Sequence, residues 1–131
     1  MHLTALAVLL LLAILPASLC FAKGMTEEIS LSSKDNIMAV SGDVSGREMR
    51  SYRLRITAAQ VITFAVNADN TACGSEIKKT SQLGLLTVMD RFPASFSDGA
   101  KFGDDYTISF FQSRLGWLDG VICKFSFSVS P

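Results

Sequence analysis

Between residues 123 and 129, apolar and polar side chains alternate without a break. Cys123, Phe125, Phe127 and Val129 occupy one set of positions, and Lys124, Ser126 and Ser128 the other. A period of two marks a strand with one buried face and one solvated face. The segment 106–112 repeats the pattern, with Tyr106, Ile108 and Phe110 on one side and Thr107 and Ser109 opposite. Phe111 breaks the alternation, which predicts either cover on both faces of that strand or a partner met there. Tyr52, Leu54 and Ile56 alternate with Ser51, Arg53 and Arg55, and Ile62, Phe64 and Val66 share one face of the next run. Further strands are predicted over 37–44, interrupted at Ser41-Gly42, over 83–89, weakened by Gly84, and at an edge over 27–31. Turn residues interrupt the chain roughly every eight to twelve positions, a spacing typical of sandwiches. The prediction is an all-β fold, a small antiparallel β-sandwich of about seven to eight strands. The polar segments 67–82 and 90–105 read as loops. The segment 113–121 reads as the long tip of a hairpin joining the last two strands, and such loops often carry function.

A different pattern opens the chain. Leu3 to Leu15 is almost unbroken Leu, Ala, Ile and Val, followed by Pro16, Ala17, Ser18 and then Cys20-Phe21-Ala22. An apolar run of this length before small residues predicts a secretory signal over 1–22 and is short for a membrane span. One β-sandwich domain is then expected over 23–131. Lipidation of Cys20 is the alternative, but Leu19 is large where lipid attachment favours a small residue. Past the signal, two cysteines remain, Cys73 and Cys123. In an oxidising compartment an even pair reads as a disulfide, with two buried free thiols as the alternative. Closing a loop of about 50 residues stabilises a fold by roughly 4 kcal/mol in the chain-entropy model.

Charge and composition narrow the chemistry. Twelve basic and twelve acidic residues balance to zero net charge, which argues against nucleic-acid binding through bulk charge. The only histidine is His2, inside the predicted signal. Past the signal there is thus no imidazole base and no Ser-His-Asp or Cys-His pair. Two cysteines without histidine are too few for a zinc site, and Asp98-Gly99 and Asp104-Asp105 lack calcium-loop spacing. No metal, no cofactor and no catalytic residue is expected, so the chain reads as a binding protein rather than an enzyme.

The remaining candidates are cationic and aromatic. Arg47, Arg50, Arg53 and Arg55 cluster around one predicted strand. They form either a solvated strand face or an anion-binding surface. Arg114 and Trp117 share the 113–121 tip, and Arg and Trp are enriched at binding hot spots. The competing view folds Trp117 back as cover for the sandwich end. Tyr52 and Tyr106 read as core residues with hydroxyls at its edge.

Specific runs resemble a known group. Ser41-Gly42-Asp43-Val44-Ser45-Gly46, then Tyr52 and Ala59-Gln60, resembles the opening of the bacterial periplasmic inhibitors of g-type lysozyme. The tail is similar too: Gly103, Tyr106, Gln112-Ser113-Arg114, and Lys124-Phe125 leading the final strand. The segment 68–98 matches poorly. The broader pre-peptidase C-terminal-like β-sandwich shares the same rhythm. The resemblance implies a small β-sandwich that binds a lysozyme cleft, g-type favoured, with Arg114 as the leading contact; Arg47, from the arginine cluster, and Trp117, from the tip, are expected to support it. This sequence departs from the group at Leu118, where a second arginine is usual, at Arg47, where a tyrosine is frequent, and in its cysteine pair. The alternative is a non-catalytic module for a cell-wall glycan or another secreted protein. Neither reading involves nucleic acid or membrane insertion after signal cleavage, and both place the protein in the periplasm or outside the cell.

Overall fold

A computed structural model describes residues 24–31 and 38–131. The segment 1–22 expected as a signal, with Cys20 and His2, lies outside the described residues. The described chain forms nine strands and one short helix. In order they are β1 (Met25–Ile29), β2 (Met38–Val44), β3 (Arg50–Arg55), β4 (Gln60–Ala68), β5 (Cys73–Lys79), β6 (Leu85–Met89), β7 (Ala94–Ala100), β8 (Asp105–Gln112), α1 (Arg114–Leu118) and β9 (Cys123–Ser130). One sheet has the order β1-β3-β8-β5-β6 and the other β2-β9-β4-β7. All pairings are antiparallel except that of β1 with β3.

The two sheets enclose a core built by the predicted alternations. Tyr52 and Leu54 from β3, with Ile56 just beyond it, face Ile62, Phe64 and Val66 from β4. Tyr106, Ile108 and Phe110 from β8 face Phe125, Phe127 and Val129 from β9. All of these are buried. Phe110 and Phe125 stack across the sheets with ring centroids 3.8 Å apart, and Tyr52 packs tilted on Phe127 at 5.1 Å. Gly42 of β2 faces inward beneath this cluster. A side-chain carbon there would come within 2.8 Å of both Phe125 Cζ and an Arg50 nitrogen, so the glycine preserves β2 rather than breaking it. Phe111 lies on the outer face and covers Gly74, its cross-strand partner on β5. Gly84, at φ 86°, ends the turn before β6.

Two segments read as loops carry strands. β5 lies within 67–82, in the interior of its sheet between β8 and β6, and β7 lies within 90–105. Their inward positions include polar residues, which hides the period of two. On β5 these are Ser75 and Lys79, and on β7 Asp98. The polar inward residues meet each other. Lys79, only 7% exposed, places its Nζ 3.0 Å from Asp98 Oδ2 and 3.2 Å from Asp104 Oδ2. Tyr106 donates its hydroxyl to Asp98 at 2.6 Å. Burial pulls the Lys79 ammonium down, but its bonds to Asp98, Tyr106 and Asp104 outweigh that and hold it above its ordinary value. The Tyr106 bond and the nearby ammonium hold Asp98 below the usual carboxylate range, while burial and Asp98 push Tyr106 up to about 12. A buried cation survives here because each charge has a partner within hydrogen-bonding distance.

The predicted hairpin between the last two strands does not form. β8 lies between β3 and β5 in one sheet, and β9 between β2 and β4 in the other. The 113–122 connection therefore crosses from sheet to sheet at one end of the sandwich. Cys73 and Cys123 form a disulfide, with Cα atoms 5.5 Å apart. It joins the first residue of β5 to the first residue of β9 and so links the two sheets covalently beneath that connection.

Candidate partner-binding surface

The end of the sandwich that carries α1 gathers the sequence-predicted site residues. α1 begins after Ser113, which has an extended backbone and whose hydroxyl accepts a bond from Gly116 N at 3.4 Å. Such a cap satisfies one of the amides that a helix start leaves unpaired. Gly120, at φ 71°, turns the chain out of the helix. The side chain of Gln112 donates to the carbonyl of Val121 and closes the base of this excursion. In the Gln112-Ser113-Arg114 run, the first two residues thus build the turn and the third projects from it.

Arg114 is exposed at the first position of α1. Trp117, one turn later, is half-buried. Arg47 comes from the turn between β2 and β3, where Gly46 adopts φ 59° and Glu48 N donates to Ser45 O at 3.2 Å. Its guanidinium lies over the Trp117 ring, 4.5 Å from the centroid. The three residues expected at the site therefore occupy one end of the molecule. Trp117 is thus partly withdrawn from solvent and serves as a platform for Arg47.

The arginine cluster divides. Arg53 and Arg55 both reach Asp105, at 2.8 Å and 3.2 Å, and Arg53 also approaches Glu28. The bond from Arg53 holds the Asp105 carboxyl below its ordinary range. Arg50 lies against the Tyr52 hydroxyl, whose own value burial pushes up. Among the described residues, Arg47 and Arg114 take part in no ion pair.

Sequence reasoning missed the apolar component. Leu115 is 74% exposed and Leu118 58%, Val121 and Ile122 are exposed in the same connection, and Met49 is exposed two residues after Arg47. The signal was the Ser113 cap with a glycine at 120, which marks one helical turn. Treating 113–121 as an irregular tip concealed it. Among the described residues, no group of three or more His, Cys, Asp or Glu side chains is placed to hold a metal ion.

No family model matches the sequence, and no curated protein matches it. Solved structures match in fold. PliG of Aeromonas hydrophila, a periplasmic inhibitor of g-type lysozyme, superposes with a TM-score of 0.66 at 16% identity, covering 82% of this chain and 96% of that one. A mutant of the Escherichia coli PliG gives 0.57 at 13% identity, covering 82% of this chain and 98% of that one. The pre-peptidase C-terminal domain of a Bacillus anthracis collagenase gives 0.60 at 13% identity, covering 82% and 97%. The chain therefore has the β-sandwich fold shared by the PliG-type periplasmic inhibitors of g-type lysozyme and the pre-peptidase C-terminal domain.

Proposed function

We propose that this chain is an exported, non-catalytic inhibitor that sets its α1 end into the acidic cleft of a lysozyme, the g-type enzyme being the favoured partner. The observation that carries this reading is Arg114, an exposed guanidinium on a capped turn without an ion-pair partner among the described residues. The fold shared with inhibitors of g-type lysozyme supports it. Arginine presents a planar fork that matches a carboxylate with two parallel hydrogen bonds. In the cleft, Arg114 engages a catalytic carboxylate and excludes the substrate, while Arg47, held on Trp117, adds a second positive charge beside it. The periplasm or the extracellular space is the compartment in which such a partner is met.

Titration of purified protein against g-type, c-type and i-type lysozymes tests the proposal. Arg114→Ala is expected to weaken inhibition by about 2 kcal/mol, the scale of a hot-spot residue. Absence of inhibition of all three classes at micromolar concentration removes it. A second reading, a non-inhibitory protein-binding module, is favoured by the exposed Leu115 and Leu118, which suit an apolar groove. Partner capture by the wild type but not by Leu118→Glu, without lysozyme inhibition, supports that reading.

A further inference from the structure

The 113–122 connection has little to hold it in place on its own. A five-residue helix has no stability of its own in water, and within this stretch Gly116 alone is fully buried. Apart from the Gln112 bond to Val121 and the Arg47–Trp117 contact, its attachments converge on one short strap, residues 69–73, between β4 and β5. Ser113 N donates to Ala72 O at 2.8 Å. The Asn70 side chain donates to Ile122 O at 3.1 Å, and its oxygen accepts from Ala72 N at 2.9 Å. Asp69 accepts from Lys124 N through its side chain and donates its own amide to Lys124 O, both at 3.0 Å. Gly116 rests directly on Ala72. A Cβ at position 116 would lie 2.5 Å from the Ala72 Cβ but 3.7 Å from its Cα. The strap ends at Cys73, bonded to Cys123 just past the connection, and Cys73 is the cross-strand partner of Gln112, which holds Val121.

We infer that the strap 69–73, closed by the Cys73–Cys123 disulfide and seated under Gly116, is the positioning device of the partner-binding end, setting affinity through the order of the tip. Its affinity arm rests on the proposed inhibitory function, and its structural arm does not. Tethering both the strap and the end of the connection to adjacent strand starts limits how far α1 can swing. A tip already ordered before binding loses less conformational freedom when the partner arrives. The Ala72–Gly116 contact adds a steric seat that admits hydrogen and excludes a methyl group.

Two sets of variants test this. In Cys73→Ala/Cys123→Ala, amide hydrogen exchange over 113–122 is expected to accelerate by about tenfold or more, while the central amides of β3, β4, β8 and β9 stay protected. Inhibition of lysozyme is expected to weaken by about tenfold as ordering shifts into the binding step. Gly116→Ala, with the disulfide intact, is expected to accelerate the same amides, and adding Ala72→Gly is expected to restore them, because the new methyl group then keeps ordinary contacts, with Ser113 Oγ at 3.6 Å and the residue 72 Cα at 3.7 Å. Unchanged exchange over 113–122 in the disulfide variant, or failure of Ala72→Gly to rescue Gly116→Ala, overturns the inference. If the disulfide variant does not fold, the Gly116 and Ala72 pair decides alone. If the wild type inhibits no lysozyme but exchange and rescue behave as expected, the inhibitory function fails and the positioning role stands. If wild type and variants inhibit equally well, the positioning role fails and the function stands.

Discussion

Replacing Asp98 with alanine removes the acceptor shared by Lys79 and Tyr106, which reach it at 3.0 Å and 2.6 Å. Breaking a buried ion pair by deleting one partner costs about 3–5 kcal/mol. Two features reduce that figure here. Lys79 keeps the Asp104 carboxylate and the Gly99 carbonyl, each at 3.2 Å, and the Asp98 side chain is itself 23% exposed. One feature raises it, because the Tyr106 hydroxyl is left inside without an acceptor, a loss worth about 1–3 kcal/mol. The net expectation is a destabilisation of about 3 kcal/mol, or a fall in melting temperature of roughly 15 °C for a domain of this size. Asp98→Asn keeps an acceptor for Tyr106 and removes only the charge, so it is expected to cost about half as much. Urea unfolding monitored by Trp117 fluorescence, with thermal melts followed by circular dichroism, measures both. A loss below about 1 kcal/mol for Asp98→Ala, or equal losses for the two variants, refutes the view that this carboxylate holds Lys79 and Tyr106 in place.

Three other predictions concern separate parts of the molecule. Asp98, Asp104 and Asp105 have lowered values, so the stability they provide is present above the unfolded carboxylate value of about 4 and is lost as pH falls through their lower folded values. Tyr106 and Lys79 have raised values, so their contribution is present below about pH 10 and fades above it, and urea midpoints that stay level from pH 7 to 3 and from 9 to 11 contradict both. Gly42→Val is expected to destabilise by about 1–3 kcal/mol through contact with the stacked Phe125 ring, and a thermal melt at the wild-type temperature would show that the space is open. Arg47→Ala is expected to change the emission of Trp117, the single tryptophan, and to cost about 0.5–1 kcal/mol. Identical spectra would place the guanidinium away from the ring.

Local pattern was legible where a strand has one apolar face. β3, β4, β8 and β9 follow their alternations closely, and the cysteine pair was legible from its count and the expected compartment. β5 and β7 were hidden because Lys79 and Asp98 point inward, and neither charge makes sense there until the other is found on the opposite sheet. The split of the last two strands between sheets was also beyond reach, because period two reports which face is buried and not which neighbours lie alongside. At the site, Arg114 and Trp117 were adjacent in sequence and thus easily grouped. Arg47 joins them only through the fold, and the pairing of Arg53 and Arg55 with Asp105 removed two members of the arginine cluster that sequence could not separate. Leu115 and Leu118 were visible but had no reason to be called exposed until the turn of helix was seen.

The placement of Asp98 has a consequence for how the chain avoids mispairing. β7 lies at the open border of its sheet, bonded only to β4, where strands are prone to slide or to recruit a foreign chain. Sliding β7 by one residue along β4 would turn every side chain over, sending the Asp98 carboxylate to solvent, leaving Lys79 with Asp104 as its one carboxylate partner and the buried Tyr106 hydroxyl without its acceptor. One cross-sandwich charge thus acts as a register pin beside Phe96, penalising shifted and swapped pairings of a strand built otherwise from small Ala, Ser and Gly residues.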